Sequence, residues 1–131
     1  MIVGIAGKAR SGKGTVGGML VARGACEMAF ADNLKLTARH LFRLTDHQVL
    51  TQEGKAEVDP RWGLSPRQIL QEVGVALRNV HPEVWVRSLL DAASHFPLVA
   101  VTDVRFPNEA AAILEMGGLL VRVERPGIAL I

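Results

Sequence analysis

Apolar and polar positions fall in blocks along this chain, and the blocks predict strands and helices in turn. Ile2 to Ala6 is a continuous apolar run suited to a short buried parallel strand. From Thr15 to Ala22 the spacing of Val16, Met19 and Leu20 predicts a helix that Gly24 stops. Ala25 to Ala31 is a second short apolar stretch, read as a strand. Asp32 then stands where a helix cap belongs, and Leu34, Ala38, Leu41 and Phe42 mark one face of a helix over about 33–44. Residues 45–63 are polar and irregular, with Gly54, Pro60 and Gly63, and read as a flexible loop on the substrate side.

The second half is more sharply punctuated. Ser65-Pro66-Arg67-Gln68 is a helix start: Ser65 caps, Pro66 suits the first turn, and Gln68 can close a capping box. This helix runs to about residue 79 and buries Ile69, Leu70, Val73 and Leu77. Pro82 opens another, over about 83–94, with Val84, Trp85, Leu89 and Leu90 for packing. Leu98 to Thr102 is a further apolar run ending in Asp103. Pro107 opens a helix with Asn108 and Glu109 in its first turn, Gly117-Gly118 closes it, and Leu119 to Val123 is the next strand. Strands alternating with helices predict a three-layer α/β fold around a parallel sheet. Ligands of such sheets bind at the C-terminal ends of the strands. Two polar junctions, 7–15 and 103–109, follow apolar strands and so belong to that edge.

Composition narrows the class. At 131 residues the chain reads as a single domain with room for a core, and 49% hydrophobic residues exclude a disordered one. A net charge of +2 is too small for a nucleic-acid-binding surface, and suits a small anionic substrate instead. Cys26 is the single cysteine, so no internal disulfide forms, and its apolar neighbours make it a small buried hydrophobe. No His or Cys cluster has zinc-ligand spacing, no apolar run reaches membrane-spanning length, and no cleavable signal pattern precedes the first strand. The cytoplasm is the expected location.

Residues 7–15, Gly-Lys-Ala-Arg-Ser-Gly-Lys-Gly-Thr, carry the strongest chemistry. A strand, a glycine-bearing turn and a helix start together form an anion cradle. Backbone N–H groups from Ser11 to Thr15 point at phosphate oxygens, the helix dipole adds positive potential, and Lys13 brings a mobile charge. Gly14 follows Lys13 where a Mg²⁺-binding hydroxyl usually stands, with Thr15 one position later, so a direct protein ligand to Mg²⁺ at this loop is not expected. Arg10 touches phosphate or faces water; Lys8 reads as solvated. Asp103 can orient a metal-bound water or an acceptor group, and Arg105 can clamp phosphate oxygens in a planar fork. The alternative is that Asp103 caps the following turn and Arg105 pairs with Glu109 or with solvent. Asp32 and Lys35 flank one helix start, as a cap or as an acceptor-side pair. Arg67, Gln71 and Arg78 lie on related faces of one helix, either a solvated face or a base-and-phosphate reader. Trp62 and Trp85 stack on a base or fill core, and the scattered His40, His47, His81 and His95 support no hydrolase triad.

Four segments in order carry a resemblance: 7–15, Phe-Ala-Asp-Asn-Leu-Lys (30–35), Trp-Gly-Leu-Ser-Pro-Arg-Gln-Ile-Leu-Gln (62–71) and Val-Thr-Asp-Val-Arg-Phe-Pro-Asn-Glu (101–109). Together they resemble the phage-type deoxynucleoside monophosphate kinases, of the P-loop kinase fold, over residues 1 to about 126. The resemblance implies one P-loop kinase domain over 1–131 that phosphorylates a deoxynucleoside 5′-monophosphate with ATP and Mg²⁺. It implies that Ala9, Arg10, Ser11, Gly12, Lys13, Gly14 and Thr15 bind the ATP phosphates. Asp32, Lys35, Arg67, Gln71 and Arg78 surround the acceptor nucleotide. Lys13, Asp103 and Arg105 serve the reacting phosphates, and Asp103 reaches the metal through water. The implied partners are these nucleotides, with no nucleic acid and no membrane; a homodimer is compatible with the reading. Two rivals stay open, a dephospho-coenzyme A kinase-like enzyme and a nucleotide-binding module with little catalysis.

Three departures qualify the resemblance. Gly14 stands where many relatives carry Asp, and Val75-Ala76 stands where Thr-Glu is expected after Gly74. The chain ends at Ile131, where relatives continue into a lid-like segment and a last strand. The expectation is a fragment or a short, weakened homologue, with Arg122 and Arg125 the late candidates for lid arginines.

Overall fold

The β-branched and small residues at the chain start pair as the first strand of a parallel sheet. In the computed structural model, which describes residues 1–7 and 12–124, strand β1 spans Ile2–Gly7 and helix α1 Lys13–Val21. Then follow β2 (Cys26–Met28), α2 (Ala31–Phe42), α3 (Asp46–Leu50), α4 (Gln52–Ala56) and α5 (Pro66–Val80). The chain continues through α6 (Val84–Ala93), β3 (Val99–Val104), α7 (Pro107–Glu115) and β4 (Leu119–Val123). Two compact units emerge, one of Met1–Phe30 with Val86–Ile131, the other of Ala31–Trp85.

The first unit holds the sheet, in the order β2-β3-β1-β4 with every pairing parallel. All four C-terminal ends therefore share one edge. Alternation along the strands splits the core in two. Ile5 and Ala100 pack with Val16 and Leu20 of α1 on one face. Ile2, Val99 and Val101 pack with Val86 and Leu89 of α6 and Ile113 of α7 on the other. This is the expected three-layer α/β arrangement. Gly4 is where α7 comes closest: a Cβ there would lie 2.7 Å from Ile113 Cδ1.

The second unit is helical. Ala38, Leu44, Val49 and Ile69 form its core, flanked by Phe42, Leu64, Leu70 and Val73. Ser65 and Gln68 make the expected capping box at the head of α5. Residues 45–63 differ from the expected irregular loop. Thr45 and Gln48 form a capping box that starts α3, and the Thr51 side chain accepts the Gly54 N–H to start α4. Asp59 then closes the segment. Buried, it accepts from Arg61 Nη2 at 2.7 Å and Gln48 Nε2 at 2.9 Å, which hold its carboxyl far below the usual carboxylate range, Arg61 contributing most. Among the described residues no helix is long and apolar enough to cross a membrane.

Candidate functional site

The helix after β1 starts without a side chain to cap it. Gly12 occupies the N-cap of α1 at φ 101°, a left-handed conformation that suits glycine, and has no side chain to bond the first-turn amides. The first intrahelical bond recorded from this cap runs from Val16 N to Gly12 O, at 3.1 Å. No acidic residue occupies the first turn. The N–H groups of Lys13, Gly14 and Thr15, in the first turn, have no intrahelical acceptors. Lys13 adds its ammonium at the first helical position and makes no ion pair among the described residues. The Gly12 Cα faces Val123: a Cβ would sit 3.6 Å from Val123 Cγ1, so the cap lies against the C-terminal end of β4. Lys8, Ala9, Arg10 and Ser11 fall outside the described residues, as does Arg125.

β3 brings Asp103 to the same sheet edge by an irregular register. Gly4 pairs with Val101 and Ala6 with Val104, so Thr102 and Asp103 both stand opposite Ile5. The extra residue bends the strand end and re-aims its side chains. Asp103 lies inside β3 rather than beyond it. Its Oδ1 accepts the Phe30 backbone N–H at 2.7 Å, which ties the end of β3 to the turn after β2. Arg105 follows with its side chain exposed. Glu109 holds the turn below it. Buried to 6% exposure, Glu109 accepts the backbone N–H of Arg105 at 2.8 Å and of Phe106 at 2.9 Å through one carboxylate oxygen. The alternative of an Arg105–Glu109 side-chain pair is therefore replaced by a backbone contact. Arg122, a late candidate, pairs with Glu124 at 3.1 Å on the surface.

The remaining candidates belong to the second unit. Asp32 does not cap α2 from outside: the helix begins one residue earlier, at Ala31, and Asp32 lies in its first turn, where a carboxylate still complements the dipole. Lys35 is one turn further along, half-buried. Arg67 and Gln71 sit four residues apart on α5, both exposed, and Arg67 Nη2 donates to Gln52 Oε1 of α4 at 2.8 Å. Arg78 is exposed in the last turn of α5. Lys55 of α4 joins this set, although nothing in the linear pattern marks it. Its amine is pushed down from its ordinary value, first by burial, then by the charges of Lys35 and Arg67. Of the tryptophans, Trp85 is buried and donates Nε1–H to Gly74 O, whereas Trp62 is 43% exposed and meets Phe42 edge to face. Cys26 is partly rather than fully buried, against the sheet core.

A parallel sheet whose first strand is followed by a left-handed glycine and a lysine-bearing helix start is the architecture of an α/β protein of the P-loop class. A protein of Acanthamoeba polyphaga mimivirus that carries the provisional name deoxynucleotide monophosphate kinase is 40% identical over 98% of this chain and 76% of its own length. The chain belongs to the deoxynucleoside monophosphate kinase family. The deoxynucleoside-5′-monophosphate kinase of Escherichia phage T5 is 41% identical over 58% of this chain, which spans 34% of that protein. Among solved structures, TT1252 from Thermus thermophilus superposes with a TM-score of 0.56 at 27% identity, over 96% of this chain and 66% of its own. No protein-family profile matches the chain.

Proposed function

We propose that the chain transfers the γ-phosphate of ATP to the phosphate of a deoxynucleoside 5′-monophosphate. The observation that carries this reading is the uncapped N-terminus of α1 behind Gly12, with Lys13 at its head, in a chain of this family. The α1 amides and Lys13 would bind the outer ATP phosphates. Arg105 would neutralise charge on the transferring group, and Asp103 would orient it. In the second unit, Asp32, Lys35, Arg67, Gln71 and Arg78 would receive the acceptor. The attacking acceptor oxygen is already ionised, so no strong general base is required. Catalysis then rests on alignment and charge neutralisation.

Among the described residues no group of three or more His, Cys, Asp or Glu side chains is arranged to hold a metal ion. Mg²⁺ would be held mainly by phosphate oxygens and water, with Asp103 the neighbouring carboxylate. Bound with the nucleotide, Mg²⁺ would supply further charge neutralisation at the phosphate oxygens. The test is product formation from labelled ATP across the four deoxynucleoside monophosphates, with dephospho-coenzyme A as the competing acceptor. Lys13→Ala should lower turnover by about 100-fold or more and weaken ATP binding, the scale of losing one aimed cation or donor. Wild-type turnover in that variant would end the role assigned to Lys13.

A further inference from the structure

Three cations from three helices of the second unit lie close enough to repel one another, and among the described residues none has an ion-paired carboxylate. Lys35 comes from α2, Lys55 from α4 and Arg67 from α5. The Arg67–Gln52 hydrogen bond ties the head of α5 to the head of α4. Gln52 and Lys55 are three residues apart, so they share a helix face, and the bond turns that face toward Arg67. The short helix is held firmly from the other side. Thr51 Oγ1 donates to His47 O at 2.7 Å and accepts the Gly54 N–H at 2.9 Å. Gly54 packs so tightly on α3 that a Cβ would lie 2.0 Å from His47 O. Lys55 is half-buried and stands in this hydrogen-bonded helix rather than in an irregular loop.

Among the described residues no carboxylate forms an ion pair with any of the three cations. Gathering like charges costs free energy that a bound dianion would return. The Lys55 amine is depressed first by its burial and only then by the charges of Lys35 and Arg67.

We infer that Lys55 completes, with Lys35 and Arg67, the subsite for the phosphate monoester of the acceptor nucleotide. The inference rests on the kinase reading above and adds to it a residue and a division of labour. Arg67 offers a planar fork to two phosphate oxygens, and the two lysines act as point charges on the rest. Gln71, one turn beyond Arg67, then stands nearer the nucleoside.

Calorimetry and steady-state kinetics on the full chain test this, with Lys55→Gln beside Lys55→Arg. Lys55→Gln should weaken deoxynucleoside monophosphate binding and raise the acceptor KM by about 10-fold or more, the scale of one charge-assisted contact. Its KM for ATP should stay within about 2-fold, and Lys55→Arg should recover most of the loss. The Tm of Lys55→Gln without ligand should be unchanged or higher, since a repelled charge is gone. Unchanged acceptor affinity in Lys55→Gln, or an equal loss for ATP, overturns the inference while leaving the kinase reading intact. Acceptor binding that needs Lys55 but gives no product supports the subsite and overturns the kinase reading. A wild-type chain that binds no deoxynucleoside monophosphate overturns both.

Discussion

Removing the Glu109 carboxylate should damage stability and turnover together, through a loop that Glu109 itself does not extend into. Glu109 is 6% exposed, and its Oε1 accepts two backbone N–H groups, from Arg105 at 2.8 Å and Phe106 at 2.9 Å. These bonds fold the chain between β3 and α7 into the turn that presents Arg105. Hydrogen bonds to a charged partner contribute about 1.5–3 kcal/mol each. Glu109→Ala leaves two donors without their acceptor but also spares the desolvation of a buried carboxylate, so the net loss is about 2–4 kcal/mol. For a chain of this size that corresponds to a Tm drop on the order of 7–14 °C. Glu109→Gln keeps an oxygen in place for both amides and should lose about 1–2 kcal/mol, the charge-assisted share. In turnover, if Arg105 has the proposed role, Glu109→Ala should lose about 100-fold in kcat/KM, because the displaced guanidinium would misalign the transferring group. Urea denaturation and a coupled assay measure the two effects. The decisive comparison is a double-mutant cycle with Arg105→Ala. If Glu109 acts by positioning Arg105, Glu109→Ala costs little further activity in the Arg105→Ala background. Full additivity of the two activity losses, or Glu109→Ala at wild-type stability, refutes the reasoning.

Two further predictions concern stability. Gly17 and Gly18 sit side by side in α1, yet a Cβ at Gly17 would meet Thr102 Cγ2 at 3.2 Å while one at Gly18 meets nothing within 4 Å. Gly18→Ala should therefore stabilise by about 0.5–1 kcal/mol and raise the Tm by about 2–4 °C, whereas Gly17→Ala should give no gain; equal gains from both in thermal melts would contradict the packing described. Asp59, held below the usual carboxylate range by Arg61 and Gln48, contributes stability above the ordinary carboxylate pKa of about 4, and loses it as pH falls through its lower folded value. Urea midpoints of wild type should exceed those of Asp59→Asn at neutral pH, and the gap should narrow progressively below about pH 4; a gap that widens in acid would reverse the assignment.

Local signals in the sequence were sufficient for most elements whose determinants lie within a turn or two of them. Ser65, Pro66 and Gln68 start α5 because cap, fixed φ and box all act within four residues. Leu119–Val123 is a strand because Gly117-Gly118 stops the helix before it and apolar residues continue after. The same kind of signal sat unread at Thr45 and Gln48, which repeat the Ser65–Gln68 spacing; five-residue helices are too short for hydrophobic periodicity to announce them. Asp32 was misplaced by two positions, from the cap to the second residue of the helix, since a carboxylate suits both a cap and a first turn.

By itself, the sequence determined the alternation of strands and helices, the lysine-bearing helix start and the family. Those follow from residue type and spacing along one stretch of backbone. Tertiary structure decided the rest. It set the order β2-β3-β1-β4, the irregular pairing that re-aims Asp103, and the burial of Glu109 beneath the Arg105 turn. It also brought Lys55 to Lys35 and Arg67, a neighbourhood invisible in one dimension because electrostatic and packing energies depend on distance through space, and helix docking, not chain order, sets that distance.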